Sequence, residues 1–163
     1  MSMYNNLIDI VKTFYNDETL LRLLHYPPTN YNDIPDPLDK SLPNITDIDD
    51  DYSIRDHVIL LAPKTDDLES NPSCRLYLYA GRRTPTSNYV TANQEVIVDI
   101  LCHNDYEKDL RSMKISDRVN ELLFDSRVTG MAKIDYVGGS PIKAPSEYVG
   151  YSHKYVFVSS KNR

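Results

Sequence analysis

Glu95-Val96-Ile97-Val98-Asp99-Ile100-Leu101-Cys102-His103-Asn104 is the stretch whose reading decides the fold. Successive side chains of an extended strand point to opposite faces. Val96, Val98, Ile100 and Cys102 therefore share one face, and Ile97, Asp99, Leu101 and His103 share the other. After a turn at Asn104-Asp105 the pattern becomes helical and ends at Phe124. Met131 to Val137 reads as a further strand leading into Gly138-Gly139-Ser140-Pro141, which reads as a turn, and Tyr148 to Ser159 reads as a closing strand. This order, from Asn88 to Val158, implies an open sheet with a covering helix.

Upstream, Ser73 to Gly81 also alternates, with Cys74, Leu76, Leu78 and Ala80 on one face and Arg75, Tyr77 and Tyr79 on the other. Gly81-Arg82-Arg83-Thr84-Pro85-Thr86-Ser87 is basic and turn-rich, so the two long strands form a hairpin whose tip, Gly81 to Tyr89, projects. His57 to Ala62 is an apolar run stopped by Pro63 and reads as a buried strand. Tyr4 to Leu24 carries a helical stripe of Leu7, Ile10, Val11, Phe14, Leu20, Leu21 and Leu24. Asn16-Asp17 interrupts it, which allows two short helices with Asp17 capping the second, and Pro27-Pro28 ends it. Ile115, Val119, Leu122 and Leu123, extended by Leu110 and Met113, form the stripe of a helix near 106–124, with a kink expected near Ser116.

The expected fold class is α+β: a mainly antiparallel sheet with a long hairpin, packed by an N-terminal helix and a second helix near 106–124. One domain over 1–163 is long enough to bury a core. The expected core is Leu60, Leu76, Leu78, Val96, Val98, Ile100, Val156 and Val158, covered by Ile115, Val119, Leu122 and Leu123.

Residues 29–56 stand apart. Tyr31 to Asp56 holds eight Asp and three Pro against Lys40 and Arg55, a composition that opposes a packed core. Ile34, Leu38, Leu42, Ile45, Ile48 and Tyr52 nevertheless recur through it. It reads as an extended Asp-rich arm lying on a neighbour or on its own domain, ordered mainly by another subunit, with a solvated long loop as the alternative.

The net charge of −6 argues against broad binding to duplex DNA, whose affinity comes from clustered Lys and Arg. Thirteen Tyr and no Trp favour half-buried sheet faces and protein interfaces. Cys74 and Cys102 read as reduced core thiols, with a disulfide as the alternative if their strands are adjacent. Met1 to Asn6 is polar with no apolar run of signal length after it, and no run has the length of a membrane span, so folding in a cytoplasm without membrane contact is expected.

Reaction chemistry finds no foothold. The run Asp47, Asp49, Asp50, Asp51 lacks the glycine and closing glutamate of a calcium loop. His25, His57, His103 and His153 have no zinc spacing, and His103 reads as a strand-end residue bonded to the turn. Gly138-Gly139-Ser140-Pro141 lacks the Lys-Ser/Thr of a phosphate loop, and no serine lies in a nucleophile elbow. Neither an enzymatic activity nor a cofactor or metal is expected.

The strand Glu95 to Asn104, the helix through Ile115-Ser116-Asp117-Arg118-Val119-Asn120-Glu121-Leu122-Leu123, and the end Gly139-Ser140-Pro141-Ile142-Lys143 with Tyr148-Val149-Gly150-Tyr151 together resemble the tail-terminator and tail-completion (neck) proteins of long-tailed bacteriophages. The resemblance covers Asn88 to Ser159 best; the Asp-rich arm is longer than that family needs. It implies a structural virion protein of the head–tail junction, assembled in the bacterial host cytoplasm as a homo-oligomeric ring, commonly a hexamer. Such a ring caps the tail tube, docks to a neck or head-completion protein, and lets DNA pass without specific binding. Candidate protein-interface residues are Arg82, Arg83, Tyr77, Tyr79, Asp47, Asp49, Asp50 and Asp51. Arg82 and Arg83 have two readings, DNA phosphate in a channel or carboxylates of a neighbouring protein; the acidic chain and the planar guanidinium favour the second. The rival functions are an adaptor that binds one protein through the Asp-rich arm without forming a ring and, last, a small hydrolase.

Overall fold

The computed structural model describes residues 3–29, 35–70, 72–130 and 132–160. The start of the expected strand at Met131 and part of the Asp-rich arm, 30–34, lie outside the described residues. The chain is α+β. Helices α1 (Met3–Tyr15), α2 (Glu18–His25), α3 (Ile45–Ile48) and α4 (Ser53–Val58) precede strands β1 (Ile59–Leu60), β2 (Cys74–Pro85) and β3 (Thr91–His103). A 3-10 turn (Glu107–Asp109), α5 (Arg111–Leu123), β4 (Asp135–Ile142) and β5 (Tyr148–Ser160) follow. The sheet has the order β1-β2-β3-β5-β4, and only the β1–β2 pairing is parallel.

The register explains the core. Val96, Val98 and Ile100 of β3 stand opposite Ala80, Leu78 and Leu76 of β2, and opposite Tyr155, His153 and Tyr151 of β5. Opposed residues share a face. That face packs under Ile10 and Phe14 of α1, Leu20, Leu21 and Leu24 of α2, and Ile115, Val119 and Leu123 of α5. The other face carries a smaller cluster of Leu68, Tyr77 and Leu101, with Leu60, Ile142 and Tyr148 at its margin.

Three expectations about the core differ from this arrangement. Val156 and Val158 are half-buried on the outer face, and Tyr155 and Phe157 fill the helix side instead. Both sets are apolar, so alternation alone gave β5 no phase. Leu60 belongs to the outer cluster, because its register partner on β2 is Tyr77, while Ile59 pairs with Leu76 on the helix side. Leu122 is only partly buried at the flank of α5.

The helices meet at charged pins. Asp17 caps α2, accepting from the Leu20 amide at 2.9 Å, and it receives the Arg118 Nε of α5 at 2.8 Å. The second helix begins later than the pattern suggested: Leu110 adopts a left-handed φ of 58° and separates the 3-10 turn from α5. There is no break at Ser116, whose hydroxyl donates to the Ser112 carbonyl at 2.7 Å within a continuous helix.

The described part of the Asp-rich arm, from residue 35, lies on its own domain, one of the two placements expected of it. The Arg22 guanidinium, buried on α2, donates to the carbonyls of Pro37 at 3.1 Å, Asp39 at 3.0 Å and Leu42 at 2.9 Å, and to Asn44 Oδ1 at 2.6 Å. Glu18 accepts from the first amides of α3, Ile45 at 2.7 Å and Thr46 at 3.0 Å. Ile45 then drops into the core. Two further arginines act alike. Arg75 binds the His57 carbonyl at 3.1 Å, the Lys64 carbonyl at 3.2 Å and Asp67 at 2.7 Å; Arg111 binds the Leu23 carbonyl at 2.7 Å at the end of α2.

Two measurements test this. Phe157→Ala should cost about 3–5 kcal/mol in urea unfolding, and Val158→Ala about 1 kcal/mol or less; a larger cost at Val158 than at Phe157 would put β5 in the opposite phase. Arg22→Ala should cost about 2–3 kcal/mol by stranding buried carbonyls and speed hydrogen exchange selectively in 37–46. Arg22→Lys should not restore protection, because it lacks the planar fork.

Candidate assembly surface

Of the residues singled out in the sequence, Arg82 and Arg83 lie not on a turn but within β2, just where the β2–β3 register shifts between Ala80 and Arg83. The hairpin turns further out, after Pro85, where Tyr89 is 78 % exposed. Arg83 is engaged within its own chain, donating to Gln94 Oε1 at 3.1 Å and to the Ser160 carbonyl at 2.9 Å. Arg82 is exposed, and its backbone amide donates to Glu95 Oε2 at 3.2 Å. Tyr77 is buried beneath the 61–70 loop and donates to the Lys64 carbonyl at 2.6 Å, so it presents no surface. Tyr79 is half-buried and donates to Asp99 Oδ2 at 2.6 Å; burial first, then that carboxylate, push its phenol up to about 12.

The acidic run does not converge. Asp49 is 1 % exposed and caps α4, accepting from the amides of Ile54 at 2.8 Å and Arg55 at 3.0 Å. Asp47, Asp50 and Asp51 face solvent, and Asp51 accepts from the Ser53 amide at 3.1 Å. Among the described residues no group of three or more His, Cys, Asp or Glu side chains could hold a metal ion, and no helix is long and apolar enough to cross a membrane. His103 accepts from the Asp105 amide at 3.1 Å, the strand-end contact expected of it.

One polar constellation was not foreseen. His153 of β5 lies with Nε2 2.8 Å from Ser116 Oγ and Nδ1 3.0 Å from the Tyr136 hydroxyl. The three join α5, β5 and β4 beside a cavity of about 350 Å³ that Asp117, Asn120 and Phe124 also line. One proton arrangement satisfies every atom: Tyr136 donates to Nδ1, Nε2–H donates to Ser116, and Ser116 donates to the Ser112 carbonyl. The serine proton is thus directed away from the imidazole, unlike that of a serine activated by a base. The trio works as a pin on β4. Gly139 makes room for it, since a Cβ there would stand 2.6 Å from the Tyr136 hydroxyl and 2.9 Å from His153 Nδ1. This corrects the turn expected at Gly138-Gly139-Ser140-Pro141, which lies inside β4. The helical spacing of Ser112 and Ser116 was visible in the sequence, but the phase of β5 that brings His153 to them was not.

The surface left over is a pair of open sheet edges. β1 covers only Leu76 and Tyr77 of β2, so the strand from Leu78 to Pro85 has no strand neighbour outside it among the described residues. An apolar groove of about 240 Å³ runs along it, lined by Tyr4, Leu7, Ile8, Val11, Leu61 and Leu78. At the far end β4 is the other edge, with Tyr136 40 %, Val137 52 % and nearby Phe124 50 % exposed.

A family model described as YomW matches residues 17–157. The chain is 31% identical over 175 residues to the SPbeta prophage-derived protein YomW of Bacillus subtilis strain 168, a match covering 99% of this chain and 100% of that protein. The chain belongs to the YomW family, which ties it to phage.

The His153 pin makes a pH prediction. Burial, opposed by the charges of Asp117 and Asp99, holds His153 below the ordinary 6.5. The unfolded chain therefore takes up a proton first as pH falls below 6.5, and stability drops from there down to the lowered folded value. Each proton contributes a slope of at most about 1.4 kcal/mol per pH unit. Urea melts across this window should slope less in His153→Gln than in the wild type, and identical slopes would count against the pin. His25 and His57, also held low chiefly by burial, add in the same direction.

Proposed function

We propose that the chain is a non-catalytic structural protein of the phage virion, a subunit of the head–tail junction that closes into a ring. The ring caps the tail tube and joins it to a neck or head-completion protein, and DNA passes through it unbound. The subunit assembles in the bacterial host cytoplasm and remains in the virion. Membership of a phage family supports this, as do the resemblance to tail-terminator proteins and the net charge of −6, which repels phosphate.

The observation that carries the ring is the position of the two open edges. They lie on different strands at opposite ends of one sheet, β2 and β4. A contact between two different patches is head-to-tail, and head-to-tail contacts close into rings when the rotation permits. The described part of the Asp-rich segment is held by Arg22 and Glu18 of its own chain, which favours the ring over an adaptor that binds through that segment as a free arm.

Two readouts test the proposal. In solution, alone or with tail-tube protein, the mass should be a fixed multiple of the 18.8 kDa chain, and negative-stain images should show rings. Deleting the gene from an inducible phage should leave filled heads and unjoined tails. A chain that stays monomeric in both conditions, or a deletion that leaves joined and infectious particles, would overturn the proposal.

A further inference from the structure

Cys74 opens β2, Cys102 lies next to last in β3, and the two are direct register partners in the antiparallel ladder. Directly opposed residues in such a ladder have Cα atoms about 4.5 or 5.5 Å apart, depending on the type of pair. Both spacings fall within the roughly 4.4–6.8 Å that a disulfide spans. The side chains share the helix-facing side of the sheet, and both are free and 0 % exposed. No other cysteine competes for either of them.

We infer that Cys74 and Cys102 form a reversible disulfide that staples the root of the β2–β3 hairpin when the protein meets an oxidising medium. The position gives the bond a purpose. The hairpin is closed by its turn at the distal end, and its open end is where β2 emerges from the 61–73 segment. Fraying starts at open ends. A bond there would keep β2 paired through any strain applied to the sheet.

The oxidant is a low-molecular-weight disulfide. One cysteine loses its proton, and its thiolate attacks the oxidant, breaking the S–S bond and releasing one small thiolate that takes up that proton. The second cysteine then loses its proton, and its thiolate attacks the protein sulfur of the mixed disulfide. A second small thiolate leaves and takes up the second proton. Two cysteine thiols are oxidised and one small disulfide is reduced to two thiols. The neighbouring Cys74 thiol and then burial push the Cys102 thiol up, so reaction is slow at neutral pH and quickens with alkalinity. Formation of the bond is independent of the virion reading; that reading supplies only the occasion, since a particle released from a reducing cytoplasm meets oxidant outside.

The full-length protein, reduced, is incubated with 2-hydroxyethyl disulfide at mildly alkaline pH, and thiols are then counted in denaturant. Both should vanish together, with no retained adduct and no covalent dimer. The urea midpoint should rise and return to its starting value on adding dithiothreitol. Cys74→Ser should instead keep a single hydroxyethyl adduct on Cys102 and show no rise. Three results would overturn the inference: thiols that persist while the urea-unfolded control oxidises, cross-links between chains, or a bond that lowers the midpoint. Should the serine variant fail to fold, the wild-type thiol count and midpoint decide alone.

Discussion

Arg22, Arg75 and Arg111 bury their guanidinium groups against backbone carbonyls, and the irregular parts of the chain depend on those contacts. Segments 35–48 and 63–70 are poor in apolar residues and rich in Asp and Pro, so hydrophobic burial alone cannot order them. A guanidinium offers five donors in a fixed plane and can satisfy several carbonyls at once without a strand or helix being formed. Arg22 gathers three carbonyls and an amide oxygen this way. Arg75 does the same for the loop over the outer sheet face, and its hydrogen bond to Asp67 holds that carboxyl well below the usual range. Arg111 closes the end of α2. Each charge is buried only because it is saturated with partners; removing the partners would leave a costly unpaired ion.

With the loops pinned, the phase of each strand decides the rest. β3 is central, and its alternation assigns a face to every residue of β2 and β5 through the register. The helix side is apolar apart from a few satisfied polar groups, among them His153 and Ser116. The outer side is divided. Its lower part is capped by Leu68 and the loop that Arg75 holds, and its upper part keeps Ile97, Asp99 and Lys154 half exposed. The helix side supplies the core, and chemistry accessible to solvent is confined to the outer face and the edges.

How far the sequence revealed this follows from where period and phase coincide. β3 and α1–α2 were legible because each has a single apolar stripe, and Asp17 marked the break between the helices. β5 was not, because Tyr155 and Phe157 compete with Val156 and Val158 for the inner face and only the pairing with β3 chooses. β4 was hidden by Gly138, Gly139 and Pro141, residues that signal a turn; here Gly139 clears space for Tyr136 and His153 within the strand. The anchors of the Asp-rich segment were hard to read because they are Arg22 and Glu18, residue types that usually mark surface. Of the candidate site, Arg82, Asp47, Asp50 and Asp51 are exposed, whereas Tyr77, Asp49 and Arg83 are turned inward to hold the fold.

The two open edges are themselves restrained. Long, flat edge strands invite indiscriminate pairing, and proteins blunt them with bulges, charges and proline. β2 shifts register between Ala80 and Arg83 and carries the exposed Arg82 there. β4 shifts between Tyr136 and Gly138 and includes Pro141, which has no amide to donate. Neither edge can therefore offer a long uninterrupted ladder of backbone hydrogen bonds. Each keeps side chains suited to a selective contact: an apolar groove beside Leu78 on one, and Tyr136, Val137 and Phe124 on the other. Any partner that joins this sheet must be recognised mainly through those side chains, so the strength of the contact follows how well they fit and not how much strand is exposed.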